Sequence, residues 1–198
     1  VIEIYSSADS ALGKCIFEFN DTKVIRITKE IDFESPVTVN HIKAHATANP
    51  GCSIHGSLPC TTITTWQQVN VSRNGLSYSE DLERRREKLR EMLRSFIEIS
   101  EIVLMGGDTV TFEWPRHCLG WTFRELLQFI LKWRMFVVDV DGCACGMRDP
   151  RSQVPFLKQW RFLTSEASVC QSLQGLRCKH PSSFRHASIE GGNAESTG

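Results

Sequence analysis

Apolar and polar residues follow two rhythms along this chain. Short β-branched or apolar runs recur: "VIEIY" at the start, "TKVIRIT" from Thr22 to Thr28, "CSIHGSLP", the run closing on Glu113 and Trp114, "MFVVDVDG" and "KQWRFLTS". Each reads as a strand. Between them lie helical patterns. A short helix fits within "PVTVNHIKAHATANPG". A long one is expected from about Asp81 to about Ile99, with Leu82, Leu89, Leu93, Phe96, Ile97 and Ser100 at helical spacing. Ser77 and Glu80 read as its capping box, with "NVSRNGLSYS" as a loop. "TFRELLQFILKW" is a second amphipathic helix with Thr122 as its cap, and "SEASVCQSLQGLRCKH" starts as a short helix. Strands alternating with helices predict one α/β domain with a mainly parallel sheet.

Composition narrows the class. The chain has 198 residues, enough for one full core, and 23 basic residues balance 23 acidic ones. No global field draws it to nucleic acid or anionic lipid, so any such contact rests on local patches. No apolar run approaches the ~20 residues of a membrane span. The 8 cysteines are irregularly spaced and no leader-like segment opens the chain, which predicts reduced thiols in an intracellular compartment. The chain opens mid-strand without a methionine and closes on "EGGNAESTG". The expected organisation is a domain over 1–190 and a disordered polar tail over 191–198, cut from a longer polypeptide.

In sheets of this kind ligands sit outside the carboxyl ends of the strands. Ser6, Cys60, Glu113 and the Cys143–Gly146 turn all follow predicted strands, so they are expected on one rim. Pro59 stiffens the turn that carries Cys60. A thiol there is either a packed core group or a nucleophile, which needs a neighbour that lowers its pKa. Glu113, beside Trp114 and Pro115, is expected to be partly desolvated, which raises a carboxyl pKa and suits a proton donor. The alternative is a strand-end acid paired with an arginine. Glu3 and "SSADSALGK" offer backbone N–H groups to a ligand without any GxGxxG pattern. Asp32 or Glu30 could bond a ribose hydroxyl or simply face solvent. Cys143 and Cys145, with Cys178, His180 and His186, invite a zinc reading, although their spacing is tighter than the usual pairs and the two clusters lie far apart. No metal ligand is assigned on sequence. "LERRREKLR" reads first as a solvated helix face.

In order, these features resemble the cytosine-5 DNA methyltransferases. "GSLPCTTITTW" is similar to that family's proline–cysteine nucleophile motif. "TFEWP" is similar to its acidic strand-end motif, with Trp114 in place of Asn and Pro115 in place of Val. "VIEIYSSADSALG" stands where the methyl-donor loop stands, without the family's Phe-x-Gly-x-Gly. "DGCACGMRDPRSQVPFLKQWRFLTS" is similar in position to the motif whose strand bears an arginine. The order also resembles methyltransferase-like segments of retroelement polyproteins.

The resemblance implies a Rossmann-like methyltransferase sheet and S-adenosylmethionine as cofactor. It implies nucleic acid as partner, DNA ahead of RNA, and a nuclear location. It makes Cys60 the nucleophile toward a flipped cytosine, Glu113 the acid, and Arg161 or Lys158 the cation at the base carbonyl. Donor contacts would fall to Glu3, Ser6, Ser7, Asp9, Leu12, Gly13, Asp32, Ser57 and Pro59. The contrasting reading is a non-catalytic nucleic-acid or partner-binding domain of a mobile-element polyprotein, and a third is a zinc-stabilised structural domain.

Overall fold

The computed structural model describes residues 1–6, 10, 12 and 23–187. The expected polar tail lies outside them. Six strands among the described residues form one sheet: β1 (Ile2–Ile4), β2 (Ile25–Ile27), β3 (Ile54–Gly56), β4 (Val110–Pro115), β5 (Phe136–Asp141) and β6 (Gln159–Thr164). Among the described residues run helices α1 (Pro36–Ala48), α2 (Trp66–Met105), α3 (Arg124–Trp133) and α4 (Ala167–Gln174). No helix among them is long and apolar enough to cross a membrane.

The strand order is β2–β1–β3–β4–β6–β5. The pairs β1–β2, β1–β3 and β3–β4 are parallel, whereas β4–β6 and β5–β6 are antiparallel. The α/β class holds, and the expectation of a mainly parallel sheet is corrected to a mixed one. The cause lies between β5 and β6. A parallel return needs a crossover layer of a dozen or more residues, usually a helix. The segment 142–158 instead holds one 3₁₀ turn (Gly142–Cys145) and an isolated bridge from Arg148 to Pro155, so the chain doubles back.

One rim of this sheet collects the carboxyl ends of β1 to β5 and the amino end of β6, because β6 alone runs against the rest. From β1 the chain moves outward to β2, then crosses back to β3 on the other side of β1. The winding therefore reverses between β1 and β3, the position where open α/β sheets form a ligand crevice.

Packing on one face of the sheet fixes that rim. Val110, Phe112 and Trp114 alternate inward along β4, and α2 lays Leu89, Leu93, Phe96, Ile99 and Val103 at helical spacing into the same core. Phe96 meets Phe112 at 5.1 Å between ring centroids, and Trp114 stands edge-on to Phe112 at 4.8 Å. Each such side chain contributes about 1.5–3 kcal/mol by burial. Gly56 is required here, since a Cβ would lie 2.5 Å from the Phe96 ring.

Two local expectations are corrected. "NVSRNGLSYS" is helical except at Gly75, whose φ of 73° and ψ of −161° break α2 into two arms. The Tyr78 hydroxyl donates to Gln67 Oε1 at 2.6 Å across that break, so a tertiary tie overrides the turn-forming Asn, Ser and Gly residues. Thr122 does not cap α3. Its hydroxyl donates to the Leu119 carbonyl at 2.8 Å within a 3₁₀ turn, and Phe123 takes the cap position.

Candidate active site

The thiol-bearing turn is anchored on three sides. As β3 ends, the Ser57 N–H donates to the Ile4 carbonyl at 3.0 Å. The Leu58 carbonyl accepts the buried Trp114 indole N–H at 2.7 Å. Cys60 then takes helical angles and its carbonyl opens the 3₁₀ turn Thr61–Ile63, accepting from the Ile63 N–H at 3.0 Å. From α2, Gln67 Nε2 donates to the Thr61 carbonyl at 2.7 Å and Arg86 Nε to that of Thr62 at 3.0 Å. The turn is rigid, as Pro59 implies, and Cys60 is half-buried within it.

Glu113 reaches the same place by strand register. Gly56 pairs with Phe112, which puts Ser57 beside Glu113, and the Ser57 hydroxyl donates to Glu113 Oε1. Glu113 Oε2 is buried without a hydrogen-bond partner. On β6, Trp160 lies opposite Pro115 and Phe162 opposite Glu113. Cross-strand partners share a face and alternate residues repeat it, which places the approach of Lys158 on the Glu113 side. The Lys158 ammonium sits 4.8 Å from the Trp160 ring centroid.

The three titratable groups perturb one another. Burial raises the Glu113 pKa, and the Ser57 hydrogen bond and the Lys158 charge oppose that rise. Burial raises the Cys60 thiol too, the Glu113 charge adds to it, and Lys158 pulls it back. Lys158 is lowered by burial and held up by Glu113 and Cys60. A neutral Glu113 removes one of the two causes that hold Cys60 as a thiol and leaves the Lys158 cation to favour the thiolate. The geometry is therefore that of a soft nucleophile, a carboxylic acid and a cation around one opening. Beside it runs a groove of about 340 Å³ lined by Thr64, Trp66, Arg116, His117 and Lys158, with Trp66 exposed.

Arg161 does not join this cluster. It pairs with Trp114 across β4–β6, on the face opposite Glu113. Its Nε donates to Asp139 Oδ1 at 2.8 Å and its guanidinium lies 5.8 Å from the Trp121 ring centroid. Arg116 and Arg177 share Asp139 with it. Of the two cations expected at the base, only Lys158 meets Cys60 and Glu113.

The expected donor residues divide as well. The Glu3 carboxylate is buried, accepts Ser10 Oγ at 2.9 and 2.8 Å and pairs with Arg26 at 3.1 Å, so it ties chain segments together. Asp32 is exposed, and its Oδ1 accepts the Glu34 N–H at 2.9 Å. Glu30 is exposed, with its pKa lowered by a hydrogen bond from Thr28. Leu12 is exposed on helical backbone. Tyr5 turns the chain off β1 at a φ of 61°, and the Ser6 hydroxyl beyond it is buried with no hydrogen-bond partner. Ser57 and Pro59 sit across the β1–β3 reversal from this turn. Ser7, Asp9 and Gly13 lie outside the described residues.

Two participants escaped the sequence reading, and a third group, the Cys/His residues that invited a zinc reading, comes together although its two halves lie far apart in the chain. Trp160 seats Lys158, and only the β4–β6 register reveals it. Cys118, buried near Cys60, has its thiol pushed up to about 11 by burial. Cys143, Cys178, His180 and His186 converge on the same rim, while Cys145 stays exposed outside their cluster. Among the described residues no disulfide forms.

No protein-family model, curated protein or solved structure matches the chain.

Proposed function

We propose that this is a methyltransferase-like domain of the cytosine-5 DNA type, acting on a flipped nucleobase with S-adenosylmethionine as donor. The observation that carries this reading is the meeting of Cys60, Glu113 and Lys158 at one rim, brought together from the turn after β3, from β4 and from the residue before β6. The strand order adds support: five co-directional strands with one reversed strand between the fourth and fifth suit a Rossmann-like methyltransferase sheet.

The residues expected to contact the donor have a partial fit. The buried, unpartnered Ser6 hydroxyl and the strained Tyr5 turn stand at the β1–β3 reversal, with Asp32 on the rim beyond β2. A polar group left unpaired at such a position suits a ligand that would satisfy it. Ser6, Asp32 and Ser57 would hold the donor, which supplies the methyl group when bound.

The chain's own groups divide the remaining work. The Cys60 thiolate forms a bond to carbon 6 of the cytosine ring, and the displaced electron pair moves to ring nitrogen 3. Glu113, whose pKa burial raises, delivers its proton to that nitrogen. Lys158 favours the thiolate before attack and faces the base carbonyl. The Trp66 face offers a stacking surface for a neighbouring base.

One observation favours a second reading, a non-catalytic nucleic-acid-binding domain of a mobile-element polyprotein: the Cys60 pKa is raised, where a nucleophile needs it lowered. Calorimetry separates the two. The enzymatic reading expects saturable binding of S-adenosylmethionine, weakened by Ser6→Ala. Salt-sensitive nucleic-acid binding with no donor affinity overturns it in favour of the second.

A further inference from the structure

We propose that Cys143, Cys178, His180 and His186 form a closed, structural Zn²⁺ site that fastens the segment after α4 to the turn after β5. Their ligand atoms all lie within 4.8 Å of one another. Cys178 Sγ is 3.4 Å from both His180 Nδ1 and His186 Nε2, and the two nitrogens are 3.2 Å apart. A tetrahedral zinc has bonds of about 2.3 Å to sulfur and about 2.0–2.1 Å to nitrogen, which sets edges of roughly 3.5 Å between S and N and roughly 3.3 Å between N and N. The observed separations match those edges.

Hydrogen bonding alone accounts for the cluster poorly. Two imidazole nitrogens face each other and both face one sulfur, so three acceptor-capable atoms compete for the same protons. A single cation at their centre satisfies all of them. Two thiolates and two imidazoles with no carboxylate among them select zinc over magnesium or calcium. Four protein ligands leave no open position, so the site is structural.

The surroundings hold each ligand in place. Cys143 sits in the 3₁₀ turn Gly142–Cys145 that ends β5. Asp141 clips the other half: its N–H donates to the Leu176 carbonyl at 2.9 Å, and its Oδ2 accepts the Cys178 N–H at 2.8 Å. Phe184 stacks on His180 at 4.2 Å and meets His186 edge-on at 4.9 Å, which fixes both rings. Such outer contacts commonly orient metal ligands.

The test is metal analysis of the whole chain expressed with added zinc and purified without chelator. Elemental analysis and native mass spectrometry are expected to give about one zinc per chain. Cobalt exchange should give tetrahedral d–d bands with thiolate charge transfer. Cys178→Ser should lose the stoichiometric metal and Cys145→Ser should keep it. If Cys178→Ser does not fold, titration of the wild-type protein with a mercurial should release zinc in step with thiol capture. Metal-free wild-type protein, stoichiometric copper or iron in place of zinc, zinc retained by a folded Cys178→Ser, or zinc lost from Cys145→Ser overturns the proposal. None of these readouts involves DNA or a methyl donor, so the outcome stands apart from the reading of Cys60.

Discussion

The indole N–H of Trp114 donates to the Leu58 carbonyl at 2.7 Å, and so ties the strand bearing Glu113 to the turn bearing Cys60. The Trp114 side chain fills the core and, together with the Ser57–Glu113 hydrogen bond, sets the thiol's position relative to the acid. Trp114→Phe leaves a buried carbonyl unpaired, a loss on the order of 1–3 kcal/mol. Urea unfolding should register that loss, and Cys60 should be alkylated faster as its turn loosens.

Gly120 makes room for Trp114. A Cβ at that position would lie 2.2 Å from Trp114 Cζ3 and 2.8 Å from Ile63 Cδ1. The ring is boxed in by Phe112, Trp121 and Phe123 and has nowhere to move. Gly120→Ala should cost about 1–3 kcal/mol through overpacking, read as a lower urea midpoint.

Glu113 makes stability pH-dependent. Burial raises its folded-state pKa above the ordinary 4.5. Between the unfolded and folded values the native state binds a proton that the unfolded chain has released, so stability falls as pH rises through that window. Glu113→Gln keeps an oxygen for the Ser57 hydroxyl and carries no charge. Its stability relative to wild type should therefore increase from about pH 4.5 upward and level off above the folded pKa. Parallel curves of unfolding midpoint against pH would contradict this.

Cys60 should react as a thiolate only at alkaline pH, because burial and Glu113 both raise its pKa above 9.0. Iodoacetamide labelling, followed by peptide mass spectrometry, should show Glu113→Gln shifting the rate profile to lower pH and Lys158→Met shifting it higher. Cys118 should label more slowly than Cys60, since it is buried and its thiol is pushed up to about 11.

Trp66 is exposed at the edge of the groove that reaches Lys158. Stacking of a base on an aromatic ring is worth about 1–3 kcal/mol. Trp66→Ala should weaken single-stranded DNA binding roughly tenfold in fluorescence anisotropy without changing the salt slope, because no phosphate contact is removed.

The strands were legible because each is a short apolar run bounded by turn residues; Ser57 and Cys60 follow β3 as counting suggests, whereas Glu113 lies within β4, paired with Phe162. What pairing adds is not local. Lys158 and Arg161 differ by three positions, yet strand alternation sends Arg161 to Asp139 on the far face and brings Lys158 toward Glu113. The Cys/His cluster was obscured for a similar reason. Cys143 and Cys178 are separated by β6 and α4, and long-range ties such as the Asp141 clip and the Arg177–Asp139 pair close that distance. Gly75 shows the converse failure, where turn-forming residues lie inside a helix that packing extends on both sides.

The most direct measurement is covalent trapping on DNA that contains 5-fluorocytosine, with S-adenosylmethionine present and the adduct mapped by peptide mass spectrometry. The modified base is expected on Cys60, with adduct lost in Cys60→Ser and strongly reduced in Glu113→Gln. An adduct that survives Cys60→Ser, or none from wild-type protein that binds both DNA and donor, would contradict a shared site for the thiol and the acid.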